Sequence, residues 1–406
     1  MRKTAQTLAA GVLGALILGG PLAGPALAAS CRNTESFANW LTKFKRDALA
    51  QGISQRVLGE AADELVYDPS VIRRDRGQAI FQETFLQFSD KLLGGYRIPN
   101  GQKKIKENAR LFARVEQRFG VPAPVLTAFW GLESDYGGNF GKFKILPALT
   151  TLAYDCRRGD YFRPELIDAL RIVQRGDQRV ADMVGSWAGE FGGMQFTASR
   201  YIKYGVDFDG DGRVDIIRST ADTLASAANY VKDLGWKRGE PWLVEVTVPA
   251  RMAWREADLD IQHPVSQWEK WGVRGAHGRL PRPDLPASLI LPMGRHGPAF
   301  LAYPNFKVFL GWNSSFVYST TVAYFAARLA GAPVVSHAGA KMVQPLSIEQ
   351  MKELQTLLNR HGFKAGEVDG KLGNGTREAV TQAQLKLGLP ADSWPTDELL
   401  AKLRGG

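Results

Sequence analysis

VPAPVLTAFWGLESDYGGNFGKF, residues 121–143, is the most informative stretch of the chain. Pro122 and Pro124 suit a helix start, where a missing N–H has no intrahelical partner to lose. Gly137 and Gly138 suit its end. Val125, Phe129 and Leu132 mark an apolar face, and Glu133 follows Phe129 by one helical turn. The spacing predicts a short helix with a carboxylate on its buried side, near its negative C-terminal end. Desolvation and the helix dipole both favour the protonated form there. A carboxyl held protonated near neutral pH is what a general acid needs to protonate a glycosidic oxygen. The alternative is a glutamate paired with one of the chain's many arginines. A standard glycosidase places a second carboxylate across the bond. Asp135 points to a different helix face, and no other Asp or Glu nearby reads as a partner. Either the partner lies far off in sequence or the reaction does without one.

Outward from this stretch the pattern is helical. In residues 35–51, Phe37, Trp40, Leu41, Phe44 and Ala48 fall on one face, and similar patterns recur to about residue 235. From Trp242 to Lys307, WLVEVTV and ASLILP bring β-branched residues among clustered prolines, which predicts a small strand-rich subdomain. Helix returns over Ser315–Leu329. Residues 331–345, GAPVVSHAGAKMVQP, have the composition of a linker. Beyond it, Ser347 and Gln350 form a capping box, Met351, Leu354, Leu357 and Leu358 form a helical stripe, and Thr376 reads as the cap of a second helix. These features predict a separate module over residues 346–404.

The chain has 406 residues, of which 23% are charged and 45% hydrophobic. That is ordinary for a folded globular protein and excludes wholesale disorder. The formal net charge of +10 favours an anionic partner. The five histidines show no metalloprotease-type spacing. Arg2 and Lys3, the apolar run Leu8–Leu22 and the pattern Ala26-Leu27-Ala28 read as a signal peptide over residues 1–29. The expectation is an exported, periplasmic protein with no transmembrane span in the mature chain. Cys31 raises a lipoprotein alternative, but Leu27 stands one place too far upstream for a standard lipobox. Export permits disulfides, and a single bond between Cys31 and Cys156 is the simplest arrangement.

Five segments together resemble the membrane-bound lytic transglycosylase B family of peptidoglycan-cleaving enzymes. They are FWGLESDYG with Glu133; LPALTTLAYDCRRGDYF with Arg157 and Arg158; VGSWAGEFGGMQFTASRYIKYGVDFDGDGRVD with Ser186 and Gln195; AANYVKDLGW with Tyr230; and FLGWNSSFVYSTTVAYFA with Asn313 and Tyr318. The resemblance implies a mainly α, lysozyme-like catalytic domain over residues 30–330, with the strand-rich subdomain inside it. It also implies cleavage of the MurNAc–GlcNAc β-1,4 bond without water. Glu133 acts as acid and then base, the substrate's N-acetyl group assists departure, and the sugar's own 6-hydroxyl closes a 1,6-anhydro ring. An intramolecular hydroxyl has a high effective concentration, so one carboxylate suffices. By the same resemblance Ser186 and Asn313 lie near the catalytic Glu and the acetamido group, and Gln195, Tyr230, Tyr318, Arg157 and Arg158 line the groove. Trp312 stands where the family often carries Tyr. The C-terminal residues resemble the small three-helix peptidoglycan-binding domain, with Ala383 where that family often has Phe.

DFDGDGRVDIIR, residues 207–218, reads as a calcium loop: Asp207, Asp209 and Asp211 at positions 1, 3 and 5, Gly212 at 6, the Arg213 carbonyl at 7 and Asp215 at 9. Arg218 replaces the usual bidentate Glu, and Asp222, one turn later, is the candidate substitute that the resemblance to the family's modified loop implies. The expectation is a structural Ca²⁺, no organic cofactor, no nucleic acid, and a monomer acting on peptidoglycan glycan strands. Two rival readings are a goose-type muramidase that uses water and a non-catalytic wall-binding protein.

Overall fold

A computed structural model describes residues 31–77 and 83–405. Helices dominate, and the described chain forms two compact units, one from residues 31–77 and 129–230, the other from 83–128 and 231–405. The residues read as a signal peptide, 1–29, lie outside the described residues. Among the described residues no helix is long and apolar enough to cross a membrane.

The first unit opens with the helix Phe37–Ala50, capped by Ser36, whose hydroxyl accepts the Asn39 N–H at 3.3 Å. Its apolar face buries Trp40, Phe44 and Ala48, and the Trp40 ring lies 5.4 Å from Phe44 and 5.6 Å from Tyr154. A disulfide joins Cys31 to Cys156 with the Cα atoms 5.9 Å apart, and the Cys156 N–H donates to Asn33 Oδ1 at 2.8 Å. At the centre the helices Ile145–Tyr154 and Gly159–Arg175 pack together, the first buried along almost its whole length. A two-residue ladder pairs β1 (Phe143–Lys144) with β2 (Val184–Gly185). Gly141 permits it, because a Cβ there would lie 2.1 Å from the Gly185 carbonyl oxygen.

The second unit contains the strand-rich part, β3 (Leu243–Thr247), β4 (His263–Pro264), β5 (Arg274–Gly275), β6 (Pro286–Ile290) and β7 (Ala299–Ala302), in the antiparallel order β4-β6-β7-β3-β5. Val244 pairs with Leu301 and Leu289 with Leu301 across the centre. Trp268 is fully buried against this sheet, and its indole N–H is satisfied by the Ala287 carbonyl at 2.8 Å. The helix Phe316–Leu329 lies in the apolar interior, as its run of aromatic and small residues requires.

The C-terminal helices Ile348–Arg360, Asn374–Lys386 and Asp397–Arg404 close a core of their own around Leu354, Leu358, Val380, Ala383, Leu399 and Leu400. The Ser347–Gln350 capping box is present with both reciprocal bonds. Thr376 is not a cap: the second helix starts at Asn374 after Gly373, and Thr376 is buried one turn in, donating to the Ala365 carbonyl at 3.1 Å. Its hydroxyl ties the preceding turn instead. The segment 331–345 is held along its course. The Val335 N–H donates to the Tyr324 hydroxyl at 3.0 Å, the Ser336 N–H donates to Glu245 Oε1 at 2.8 Å, and Gly339 approaches the His296 carbonyl too closely for a Cβ.

Candidate active site

Glu133 lies on the last turn of the helix Ala123–Ser134 and is half-buried. Val125, Leu126 and Phe129 are fully buried and fix the helix. The helix stops at Ser134, short of the glycines that composition marks as its end. Asp135, Tyr136 and Gly137 take φ of 52°, 61° and 82°, so three consecutive residues adopt the left-handed conformation. Non-glycine residues accept that backbone only where surrounding contacts hold it. Here the Tyr136 N–H donates to the Trp130 carbonyl at 3.1 Å, and its ring packs edge-on against Trp130 with centroids 5.8 Å apart. Gly131 leaves room for that ring.

Two further bonds fasten the turn to the segment that carries Ser186 and Gln195. Ser134 Oγ donates to the Gly193 carbonyl at 2.7 Å and accepts the Gly137 N–H at 3.0 Å. Gln195 Nε2 donates to the Phe140 carbonyl at 3.3 Å and to the Gly192 carbonyl at 3.1 Å. Gln195 is itself buried with a φ of 46°, and its Oε1 is a buried acceptor with no hydrogen-bond donor among the described residues. A buried acceptor left without a donor is costly, so this oxygen is suited to a ligand N–H or O–H.

Ser186 follows β2 directly and is buried. Its Oγ accepts the N–H groups of Ala188 and Glu190, both at 3.2 Å, which fills its two acceptor positions. Its proton is then directed to Glu190 Oε2 at 3.2 Å or to a ligand. Glu190 is thus a second carboxyl beside the site, overlooked by the sequence reading although it stands in the same motif. Burial pushes its carboxyl up from the usual range, against the lowering effects of Arg200 and Ser186. Glu165, also raised by burial, is anchored by the Ser199 hydroxyl at 2.6 Å and N–H at 3.0 Å.

The remaining groove candidates divide. Tyr230 is buried with its ring 4.6 Å from Tyr204 and under the Arg200 guanidinium at 5.0 Å. Arg157 and Arg158 both pair with the buried carboxylate of Asp75, and Arg158 also lies 4.9 Å above the Phe162 ring. Their charges are therefore partly neutralised within the fold. Asn313 and Tyr318 belong to the second unit and share one turn there: Asn313 Oδ1 accepts the Ser315 N–H at 2.9 Å, and the Tyr318 N–H donates to Ser315 Oγ at 3.4 Å. Both are buried.

In the acidic loop, carboxylate oxygens of Asp207, Asp209 and Asp211 lie within 4.8 Å of one another, spacing that fits one hard cation. Asp222 is buried and accepts the Phe208 and Asp215 N–H groups, each at 2.7 Å. Asp215 accepts the Ile217 and Arg218 N–H groups at 3.0 and 2.9 Å. Both carboxylates brace the loop backbone. The loop in turn supports the site, since the Gly193 N–H donates to the Ile216 carbonyl at 2.8 Å.

Fold and site together define a mainly α, lysozyme-like protein organised around a carboxylate at a helix end. The chain belongs to the Transglycosylase SLT domain family, matched over residues 36–327, and residues 347–403 match the peptidoglycan binding domain. It is 30% identical over 244 residues to membrane-bound lytic murein transglycosylase B of Escherichia coli (strain K12), an alignment that spans 59% of this chain and 65% of that protein. Among solved structures it is similar to SltB3 from Pseudomonas aeruginosa in complex with NAG-anhNAM-pentapeptide, at 39% identity and a TM-score of 0.85 over 91% of this chain and 100% of that one. It is also similar to the Escherichia coli lytic transglycosylase Slt35 in complex with calcium, at 26% identity and a TM-score of 0.61 over 72% of this chain and 92% of that one.

Proposed function

We propose that this chain is an exported lytic transglycosylase that cleaves the MurNAc–GlcNAc β-1,4 bond of peptidoglycan and leaves 1,6-anhydro-MurNAc ends. The observation that carries this reading is the construction around Glu133: a half-buried carboxyl on an apolar helix, followed by a left-handed turn fastened to the Ser186–Gln195 segment. Glu133 protonates the glycosidic oxygen as the C1–O bond breaks. The substrate's acetamido oxygen supports C1. The Glu133 carboxylate then takes the proton from the 6-hydroxyl, whose oxygen closes on C1. Gln195 Oε1 and the Ser186 hydroxyl supply an acceptor and a donor for the sugar's polar groups. Tyr230 and the exposed faces of Arg157 and Arg158 in the first unit, and Asn313 and Tyr318 in the second, are the further residues read as glycan contacts. Mass spectrometry of digested sacculi tests the reaction: the anhydro product is one water lighter than a hydrolysed one.

A goose-type muramidase is the second reading, and Glu190 is the observation that favours it, because it offers a second carboxyl. Its carboxyl is already engaged by the Ser186 hydroxyl at 3.2 Å, which argues against that role. Glu190→Gln keeps an acceptor oxygen for Ser186, so turnover stays within about tenfold of wild type, about 1.4 kcal/mol in barrier. A loss of roughly 10²–10⁴-fold with a hydrolysed wild-type product establishes Glu190 as a base instead.

The loop residues Asp207, Asp209, Asp211, the Arg213 carbonyl, Asp215 and Asp222 are proposed to hold a structural Ca²⁺. The ion offsets the mutual repulsion of the converging carboxylates and braces the site through Ile216. Millimolar Ca²⁺ raises the melting temperature, and Asp207→Ala with Asp211→Ala removes that rise. Superimposable wild-type melting curves with chelator and with Ca²⁺ leave only an acidic turn. Export agrees with the disulfide, and a sulfur of Cys31 engaged in that bond carries no lipid anchor.

A further inference from the structure

We propose that Arg377, in the C-terminal module, is a positioning residue: stacked on Phe316, it holds the Asn313–Tyr318 turn, so the module supports the substrate groove as well as binding wall. The proposal rests on the reading of Asn313 and Tyr318 as substrate contacts.

Arg377 projects from the first turn of the helix Asn374–Lys386 and is only 8% exposed. Its guanidinium carbon lies 4.8 Å from the Phe316 ring and 5.7 Å from the Trp394 ring, and Nη2 donates to the Pro292 carbonyl at 2.9 Å. Its Nε is buried with no acceptor among the described residues. Burial pulls the guanidinium down to about 10, partly opposed by Asp392. A wall-binding module on a free tether has no need of such a residue. An arginine removed from water without a direct carboxylate is retained against a desolvation penalty, and a cation over an aromatic face is stronger once water is excluded.

Within the second unit the contact falls at a sensitive place. Phe316 is the first residue of the helix Phe316–Leu329, next to its cap Ser315. Asn313 and Tyr318 flank it, held by the bonds to Ser315 already described, and Ser319 Oγ donates to the Asn313 carbonyl at 2.6 Å. Without a guanidinium against it the Phe316 ring is freed, and the turn that sets Asn313 and Tyr318 loses its outer support. The dock has a second point of attachment. Asp392, 2% exposed, accepts the Arg295 N–H at 3.0 Å and its Nη1 at 3.2 Å. Gly294 is glycine of necessity, because its φ is +70° and a Cβ would lie 2.6 Å from the Trp394 Cβ. The module's apolar core is built from other residues, among them Leu354, Leu358, Val380, Leu399 and Leu400.

The test uses the full-length protein on short, soluble, uncrosslinked glycan strands, where tethering to wall brings no gain in local concentration. Arg377→Ala lowers kcat roughly 10- to 100-fold, the scale of a misplaced contact group, and still pellets with sacculi. Arg377→Lys, which keeps a cation within reach of the ring and the Pro292 carbonyl, restores part of the rate. Phe316→Leu reproduces the loss from the other side, and it decides the matter if Arg377→Ala fails to fold. The double variant is no slower than the worse single one. Wild-type kcat and KM on soluble strands for Arg377→Ala or Phe316→Leu, with a loss confined to insoluble sacculi, overturns the proposal in favour of a simple tether. Asn313→Ala and Tyr318→Phe are measured alongside: wild-type kinetics in both removes their reading as substrate contacts, independently of the Arg377 result.

Discussion

Glu133→Gln lowers turnover of sacculi by roughly 10²–10⁴-fold or more, while folding and wall binding stay intact. The substitution preserves shape and one acceptor oxygen but removes the acid proton and the basic oxygen that the mechanism uses in turn. Much of the structure that holds this position comes from other residues. Val125, Leu126 and Phe129 anchor the helix, and Ser134 and Gln195 anchor the turn beyond it. An unchanged melting temperature is therefore expected alongside the lost rate. Both quantities are measured on one preparation, with anhydro ends counted by mass spectrometry. A variant that cleaves at near wild-type rate transfers the acid role to another residue, and Glu190 becomes the first to test.

Loss of the disulfide has the largest expected effect on stability. Cys31 and Cys156 are 125 residues apart in sequence, so the bond removes much of the freedom of the unfolded chain. Loop-closure entropy for a loop of this size corresponds to about 4–5 kcal/mol, within the range of about 2–5 kcal/mol usual for native bonds. Part of the local geometry survives reduction, because the Tyr154 hydroxyl donates to the Glu35 carbonyl at 2.7 Å and Asn33 holds the Cys156 N–H. The Cys31→Ser, Cys156→Ser double variant therefore folds but melts at a lower temperature. Denaturant unfolding of the wild type with and without reductant gives the same difference. Equal midpoints in both conditions show that the bond closes a loop already closed by packing.

The helix that carries Glu133 was legible because its cause is local. Apolar residues one turn apart, prolines at the start and a polar residue on the apolar face lie within a dozen positions. The Ser347–Gln350 box and the Asp207–Asp211 loop were legible for the same reason, since each is defined by side chains that reach backbone a few residues away. The strand-rich subdomain could be seen in composition, but its strand order could not, because β3 pairs with β5 and β7 and leaves β4 on the far edge. Glu190 was passed over because its role depends on a turn that brings its carboxyl back to Ser186, and helical or strand periodicity carries no sign of such a turn.

By itself the sequence determined a mainly α protein, its two recognisable modules, and one helix-borne carboxylate as the candidate acid. Tertiary structure decided where that helix stops, since Ser134 bonded to Gly193 and Tyr136 packed on Trp130 hold three left-handed residues ahead of the expected glycines. It also decided that Arg157 and Arg158 share Asp75, and that the segment 331–345 is pinned rather than loose. Thr376 became a buried tie and Arg377 a docked cation for the same reason. Caps and periodicities arise from interactions within about one turn of chain. The partner of a buried polar group is set by which distant elements pack together, and the chain registers that only once it is folded.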